Sequence, residues 1–140
     1  MTLLFIALTM TWLLLATISD LRGRTIPNGL LALAAPFAVM GTLYHEGFNA
    51  PGLLSVVLGG GAYFGSMLAL AVLTRGIGGG DVKMGGVIGL ALGWPGAMLA
   101  FAGSWVAAGI VGMVQPDKIM PMAPMLLGGA LFGLFMTGRL

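Results

Sequence analysis

The chain has 140 residues, of which 59% are hydrophobic and only 7% charged, with a net charge of +2. Soluble domains carry about 25% charged residues, so this composition excludes a water-soluble globule and predicts an all-α polytopic membrane protein. With no cysteine and a single histidine, His45, it also excludes disulfides, thiol nucleophiles and multi-histidine metal sites.

Residues 1–19 (MTLLFIALTMTWLLLATIS) are uncharged and long enough to cross ~30 Å of hydrocarbon at about 1.5 Å per residue. They are expected to remain as a span rather than be removed as a signal peptide, because the run is long and no basic segment precedes it. The first polar loop is expected at Asp20–Asn28 (DLRGRTIPN), carrying Arg22 and Arg24. Pro27 suits a first helical turn and Asn28 a cap, opening a second helix over Gly29–Tyr44. His45 and Glu46 then read as solvated loop residues, and a third helix is predicted over Leu53–Leu73. Arg75 opens the next loop, which passes through Gly78, Gly79 and Gly80 to Asp81 and Lys83.

The fourth predicted helix, Val82–Leu92, is short. It spans about 16 Å before the break at Gly93-Trp94-Pro95-Gly96, about half a bilayer core. With Trp94 at the far interface, Asp81 is expected to lie sunk in the membrane. Irregular glycine-rich backbone at that depth is tolerated only where protein covers it or a wet cavity meets it. A fifth helix is predicted over Ala97–Val114, then a loop pairing Asp117 with Lys118, then a sixth helix over Met125–Gly138 followed by Arg139. Trp12, Tyr63 and Trp105 are expected to pack in or around the bundle. The G-x-x-x-G spacings Gly61/Gly65, Gly129/Gly133 and Gly85/Gly89/Gly93 read mainly as close helix contacts within the chain.

The predicted architecture is therefore one domain over residues 1–140, a bundle of six transmembrane helices. Arg22, Arg24, Arg75, Lys83 and Lys118 fall on one side of such a bundle and only Arg139 on the other. The positive-inside rule then sets both termini outside the cytoplasm, in a cytoplasmic (inner) membrane. This orientation, rather than a nucleic-acid partner, accounts for the basic residues. It also puts Asp20, Asp81 and Asp117 on the cytoplasmic face and Glu46 on the opposite one.

An ionisable residue within a membrane is a functional candidate by default. Two carboxylates held close share a proton, so that one can take a proton from water while the other donates to a scissile carbonyl. That chemistry splits a peptide bond without a metal or cofactor, and none is expected here. The glycines before Asp81 permit unusual dihedrals and close approach of a substrate backbone. Gly80→Val is accordingly expected to cost more activity than Gly59→Ala. Each residue has a plainer alternative. Asp81 suits a helix cap, Asp20 a pairing with Arg22 or Arg24, and Lys83 and Arg75 an orienting role. The two acids together also suit a small proton- or ion-coupled transporter, and a non-catalytic membrane subunit would tolerate Asp→Asn changes at both positions.

ISDLRGRTIPN, GGGDVKMGG and KIMPMAP resemble three segments of the type IV prepilin peptidase family of membrane aspartic proteases. GGGD is similar to the family's G-x-G-D motif, with Gly78 and Gly80 as its glycines, Gly79 between them and Asp81 as the second catalytic aspartate. Asp20, followed by L-R-x-R-x-I-P-N, matches the first, so that Arg22, Arg24, Pro27 and Asn28 fall in motif positions. Lys83 matches the basic residue two positions after the motif aspartate. Lys118, Pro121 and Pro124 resemble a K-x-x-P-x-x-P segment leading into the last helix. The resemblance implies cleavage of prepilin or pseudopilin leaders at the cytoplasmic membrane boundary, with pilus or secretion assembly proteins as further partners. Long members carry an added cytoplasmic region with cysteine pairs and also methylate the product. This chain lacks those cysteines, and its compact form is more similar to peptidases of tight-adherence (Flp-type) pilus systems or archaeal preflagellin peptidases.

Overall fold

A computed structural model of the chain describes residues 1–23, 25–74, 77–114 and 122–139. Five α-helices follow one another: α1 (Thr2–Gly23), α2 (Asn28–Glu46), α3 (Ala50–Thr74), α4 (Gly79–Val114) and α5 (Ala123–Met136). The all-α class holds, and α1, α3 and α4 are long and apolar enough to cross a membrane. The protein is an integral membrane protein. The expected fourth and fifth helices are the two arms of α4, which follow one another across a kink at Gly93 without an intervening loop.

Helix α1 shows how an apolar sequence sorts its faces. Its buried residues are Ile6, Thr9, Leu13, Ala16, Thr17 and Asp20, a stripe at helical spacing. Leu3, Leu4, Leu14 and Leu15 point outward and stay exposed, as in a helix bathed in lipid. The Thr9 and Thr17 hydroxyls donate to the carbonyls of Phe5 and Leu13, at 2.8 and 2.9 Å, which makes their burial tolerable.

The kink arises where Gly93 takes φ 64° and ψ −174°, a conformation that suits glycine, and where Pro95 has no N–H to donate. Beyond it, α4 doubles back. The Tyr63 ring lies 3.2 Å from where a Cβ on Gly85 would stand, and the Tyr63 hydroxyl meets Ser104 Oγ at 2.9 Å. On a straight helix residues 85 and 104 would be about 28 Å apart, beyond the reach of one tyrosine. The arms 79–92 and 94–114 are therefore antiparallel. Tyr63 itself is fully buried, edge-on to Phe101, as expected of a bundle residue.

The kink frees polar backbone groups, and three of them find partners from other helices. Leu90 O accepts from Thr42 Oγ1 at 2.8 Å, Ala91 O accepts from Arg139 Nη1 at 3.0 Å, and the Trp94 N–H donates to Ser55 Oγ at 2.9 Å. Ala91 O needs this rescue because Pro95, four residues on, offers no donor. Arg139 also donates to Thr42 Oγ1 and forms an ion pair with Glu46. His45 and Glu46 are thus the last turn of α2 rather than loop, and Glu46 is held by Arg139 rather than by solvent. Helix α2 ends at Gly47, whose φ of 102° turns the chain toward α3.

Glycine contacts join the helices, though not all at the spacings expected. Gly129 and Gly133 of α5 pack on Ser104, Ala100 and Gly96 of α4. The α3–α4 contact runs through Gly59 and Gly89. A Cβ on Gly59 would stand 2.5 Å from Gly89 O, and one on Gly89 would stand 2.3 Å from Gly59 O. Gly61 and Gly65 instead face outward, where a Cβ added to either would meet no other part of the chain within 4 Å, which corrects their assignment to contacts within the chain. Gly59→Ala is predicted to destabilise the bundle by roughly 1–3 kcal/mol through overpacking, while Gly61→Ala leaves it unchanged. Thermal melts in detergent check this, and equal melting temperatures for the two variants would refute the backbone contact.

Candidate active site

Helical periodicity delivers Asp20. It is the last member of the buried stripe of α1, 8% exposed, and the helix continues past it to Gly23 instead of ending at Ser19. Asp81 arrives from the other direction, in the first turn of α4. Both line a cavity of about 280 Å³, walled by Thr25, Ile26 and Asn28 on one side and by Gly78–Gly80 on the other. Asp81 Oδ2 lies beside Gly78, 3.2 Å from where a Cβ on that glycine would stand. Asp20 Oδ2 and Asp81 Oδ1 are buried and have no hydrogen-bond partner among the described residues. Buried polar atoms are rarely left unpaired, so two such oxygens at one cavity mark a place built to receive polar atoms.

The neighbouring glycines have roles that differ from the expected ones. Positive φ occurs only at Gly47, Gly93 and Gly138 among the described residues, so Gly78–Gly80 need no unusual dihedral. What approaches Gly80 is the chain's own Ile26, whose Cβ would lie 2.9 Å from a Cβ on Gly80. Gly79 is open, and a Cβ added there would meet no other part of the chain within 4 Å. A side chain at Gly80 would crowd Ile26, and one at Gly59 would meet the backbone of α4, so both substitutions strain the packing.

Of the other predicted residues, Asn28 lines the cavity, yet it is the first residue of α2 and not its cap. Pro27 holds the cap position, with φ −63° and ψ 128°. Asn28 Oδ1 accepts instead from Lys83 Nζ, at 2.9 Å. Lys83 is exposed and is not itself part of the cavity lining. Arg22 is exposed in the last turn of α1, where a cation favours the helix dipole, and it does not line the cavity. Pro124 opens α5 and is likewise absent from the lining. Arg24, Lys118 and Pro121 lie outside the described residues, as do Arg75 and Asp117. Ile26 and Thr25 were not anticipated. Both lie inside the first motif segment, ISDLRGRTIPN, where Ile26 is the isoleucine of L-R-x-R-x-I-P-N. No group of three or more potential metal-ligating side chains occurs among the described residues.

The fold and the site define an apolar helical membrane protein in which two carboxyl groups, each with one oxygen unpartnered among the described residues, meet at one cavity. The model of the type IV leader peptidase family matches residues 7–113, a stretch that contains both aspartates. The chain belongs to that family, and it is accordingly an aspartic-type prepilin peptidase, a hydrolase. No curated protein and no solved structure matches the chain.

Proposed function

We propose that Asp20 and Asp81 are the catalytic pair, and that they hydrolyse the leader peptide bond of a type IV (Flp-like) prepilin or pseudopilin at the cytoplasmic membrane boundary. The observation that carries this reading is the pair of buried, unpartnered carboxylate oxygens at one cavity. One carboxylate takes a proton from a water in the cavity as the water oxygen bonds to the scissile carbonyl carbon, and the other carboxylic acid gives its proton to the carbonyl oxygen. The resulting gem-diol then breaks its C–N bond. One hydroxyl returns its proton to the carboxylate pair while the departing nitrogen gains one, which restores the starting state. The test is cleavage of co-expressed prepilins, read as a mobility shift. Processing is expected, whereas its absence with properly inserted protein, together with proton flux, would favour a transporter.

In this reading all six helical segments (α1, α2, α3, the two arms of α4, and α5) cross the membrane in alternating directions. Contacts such as Tyr63 with both arms of α4 support it. Arg139, the one basic residue expected on the outer side, is 5% exposed and ion-paired, so it does not oppose the orientation set by the other five. Reporter tags on both termini are expected to map outside the cytoplasm, and a cytoplasmic N-terminus would overturn this topology.

A further inference from the structure

We propose that Asn28 is a substrate-binding residue, whose side-chain amide donates to a main-chain carbonyl of the peptide beside the bond to be cut. Lys83 is then the positioning residue that turns this amide toward the cavity. The proposal rests on the catalytic reading above and deepens it by naming what holds the substrate there.

An asparagine at the start of a helix ordinarily spends its side chain on capping that helix. Here Pro27 takes the cap position and Asn28 makes no cap hydrogen bond, so its amide is free of the local task. It meets instead a residue 55 positions away, Lys83, whose Nζ donates to Asn28 Oδ1 at 2.9 Å. An ammonium can only donate, as can an amide nitrogen, so the lysine selects which end of the amide it holds. Asn28 belongs to the lining of the carboxylate cavity and Lys83 does not. With Oδ1 turned to the ammonium, Nδ2 is the end left for the cavity. It donates to nothing among the described residues. The charge on Lys83 also draws electron density toward Oδ1, which makes Nδ2–H a better donor.

The rest of the lining shows what such a donor serves. Asp20 and Asp81 present carboxyl groups there and Ile26 presents hydrocarbon. A peptide brings carbonyl oxygens with it, and the acid of the pair serves only the scissile one. The Thr25 hydroxyl could donate too, but no partner among the described residues orients it. Asn28 is thus the lining side chain whose donor is set in advance, which spares the ordering cost on binding. A compact space of 280 Å³ is about 8 Å across, so two or three extended residues at ~3.3–3.6 Å each traverse it. The carbonyl that Asn28 holds therefore lies close to the cut.

Asn28→Leu removes the donor at nearly the same side-chain size. With a short peptide spanning the leader bond as substrate, KM is expected to rise about three- to tenfold, the effect of one hydrogen bond between neutral groups. The loss should fall on KM far more than on kcat, as for binding shared by ground and transition states. Lys83→Met is expected to raise KM by part of that amount, and Lys83→Arg, whose guanidinium still donates to Oδ1, by less than Lys83→Met. In the Asn28→Leu background Lys83→Met is expected to add nothing, because its effect passes through the amide. An undiminished effect of Lys83→Met in that background would make the lysine act on its own, and a wild-type KM for Asn28→Leu would deny the donor. Either result overturns the proposal. Both residues are exposed, so the variants are expected to melt with the wild type. A melting temperature that falls in step with the rise in KM would reduce the pair to a tether between α2 and α4 and overturn the proposal as well. Failure of the wild type to cleave any prepilin peptide would count against the catalytic reading instead. Binding of the same peptide, labelled with a fluorophore and followed by anisotropy, then tests Asn28 without turnover. Asn28→Leu is expected to raise Kd by a factor similar to that in KM, and an equal Kd, or no binding by either protein, refutes the contact.

Discussion

Asp20→Asn and Asp81→Asn are each expected to lower leader cleavage by about 10²–10⁴-fold, the usual contribution of a positioned acid or base. Asparagine keeps the size of the side chain and its hydrogen-bonding reach, but it can neither accept the water proton nor return it. The double variant is expected to be no slower than the worse single variant, because the two groups act as a unit and their losses do not add. Stability separates this from a structural role. Asp20 Oδ2 and Asp81 Oδ1 have no partner among the described residues, so neutralising either acid relieves an unpaired buried group instead of breaking a bond. Both variants should insert and melt at or above the wild-type temperature. A variant that retains appreciable cleavage, or that loses activity only because it fails to insert, would remove the pair from catalysis.

Arg139→Met is expected to have the largest effect on stability. The Arg139 side chain is 3% exposed and its Glu46 partner 22%. Removing one member of a fully buried ion pair costs about 3–5 kcal/mol. The partial exposure of Glu46 lets water screen the stranded charge, so about 2–3 kcal/mol is the better expectation here. Methionine fills much of the same volume, so the loss reports the polar bonds more than a cavity. Those bonds join the C-terminal end to Thr42 of α2 and to Ala91 O before the kink of α4. A thermal melt reads the effect, and Glu46→Gln, which leaves an amide oxygen to accept from the guanidinium, should lose less. If Arg139→Met melts like the wild type, the guanidinium is not what satisfies the kinked end of α4.

Glu46 and Arg139 also show what a linear reading reaches and what it misses. Hydropathy and charge spacing are local properties, and they were enough to identify the membrane class, the helical segments within a few residues, and the break at Gly93. Counting spans then put Asp20 and Asp81 on one face, and the two do line a single cavity. Asp20 was legible as a candidate because a carboxylate is costly in an apolar stretch. Its position on a helix was not, since the arginines and glycine after it resemble a loop.

Other features depend on which helix faces meet. Gly59 and Gly61 are nearly adjacent and chemically identical, yet one is pressed against the backbone of α4 and the other faces outward. Ile26 covers Gly80 because α1 and α2 deliver their connection to that spot, and no local pattern marks that contact. Arg139 read only as the one basic residue on the outer side, whereas the kink at Pro95 leaves Ala91 O without a donor and the fold brings residues 42, 46, 91 and 139 together. Local sequence decides where an apolar helix forms and where a charge is costly. Only the packed bundle decides which distant group satisfies that charge, because the choice is made by contacts between residues far apart in the chain.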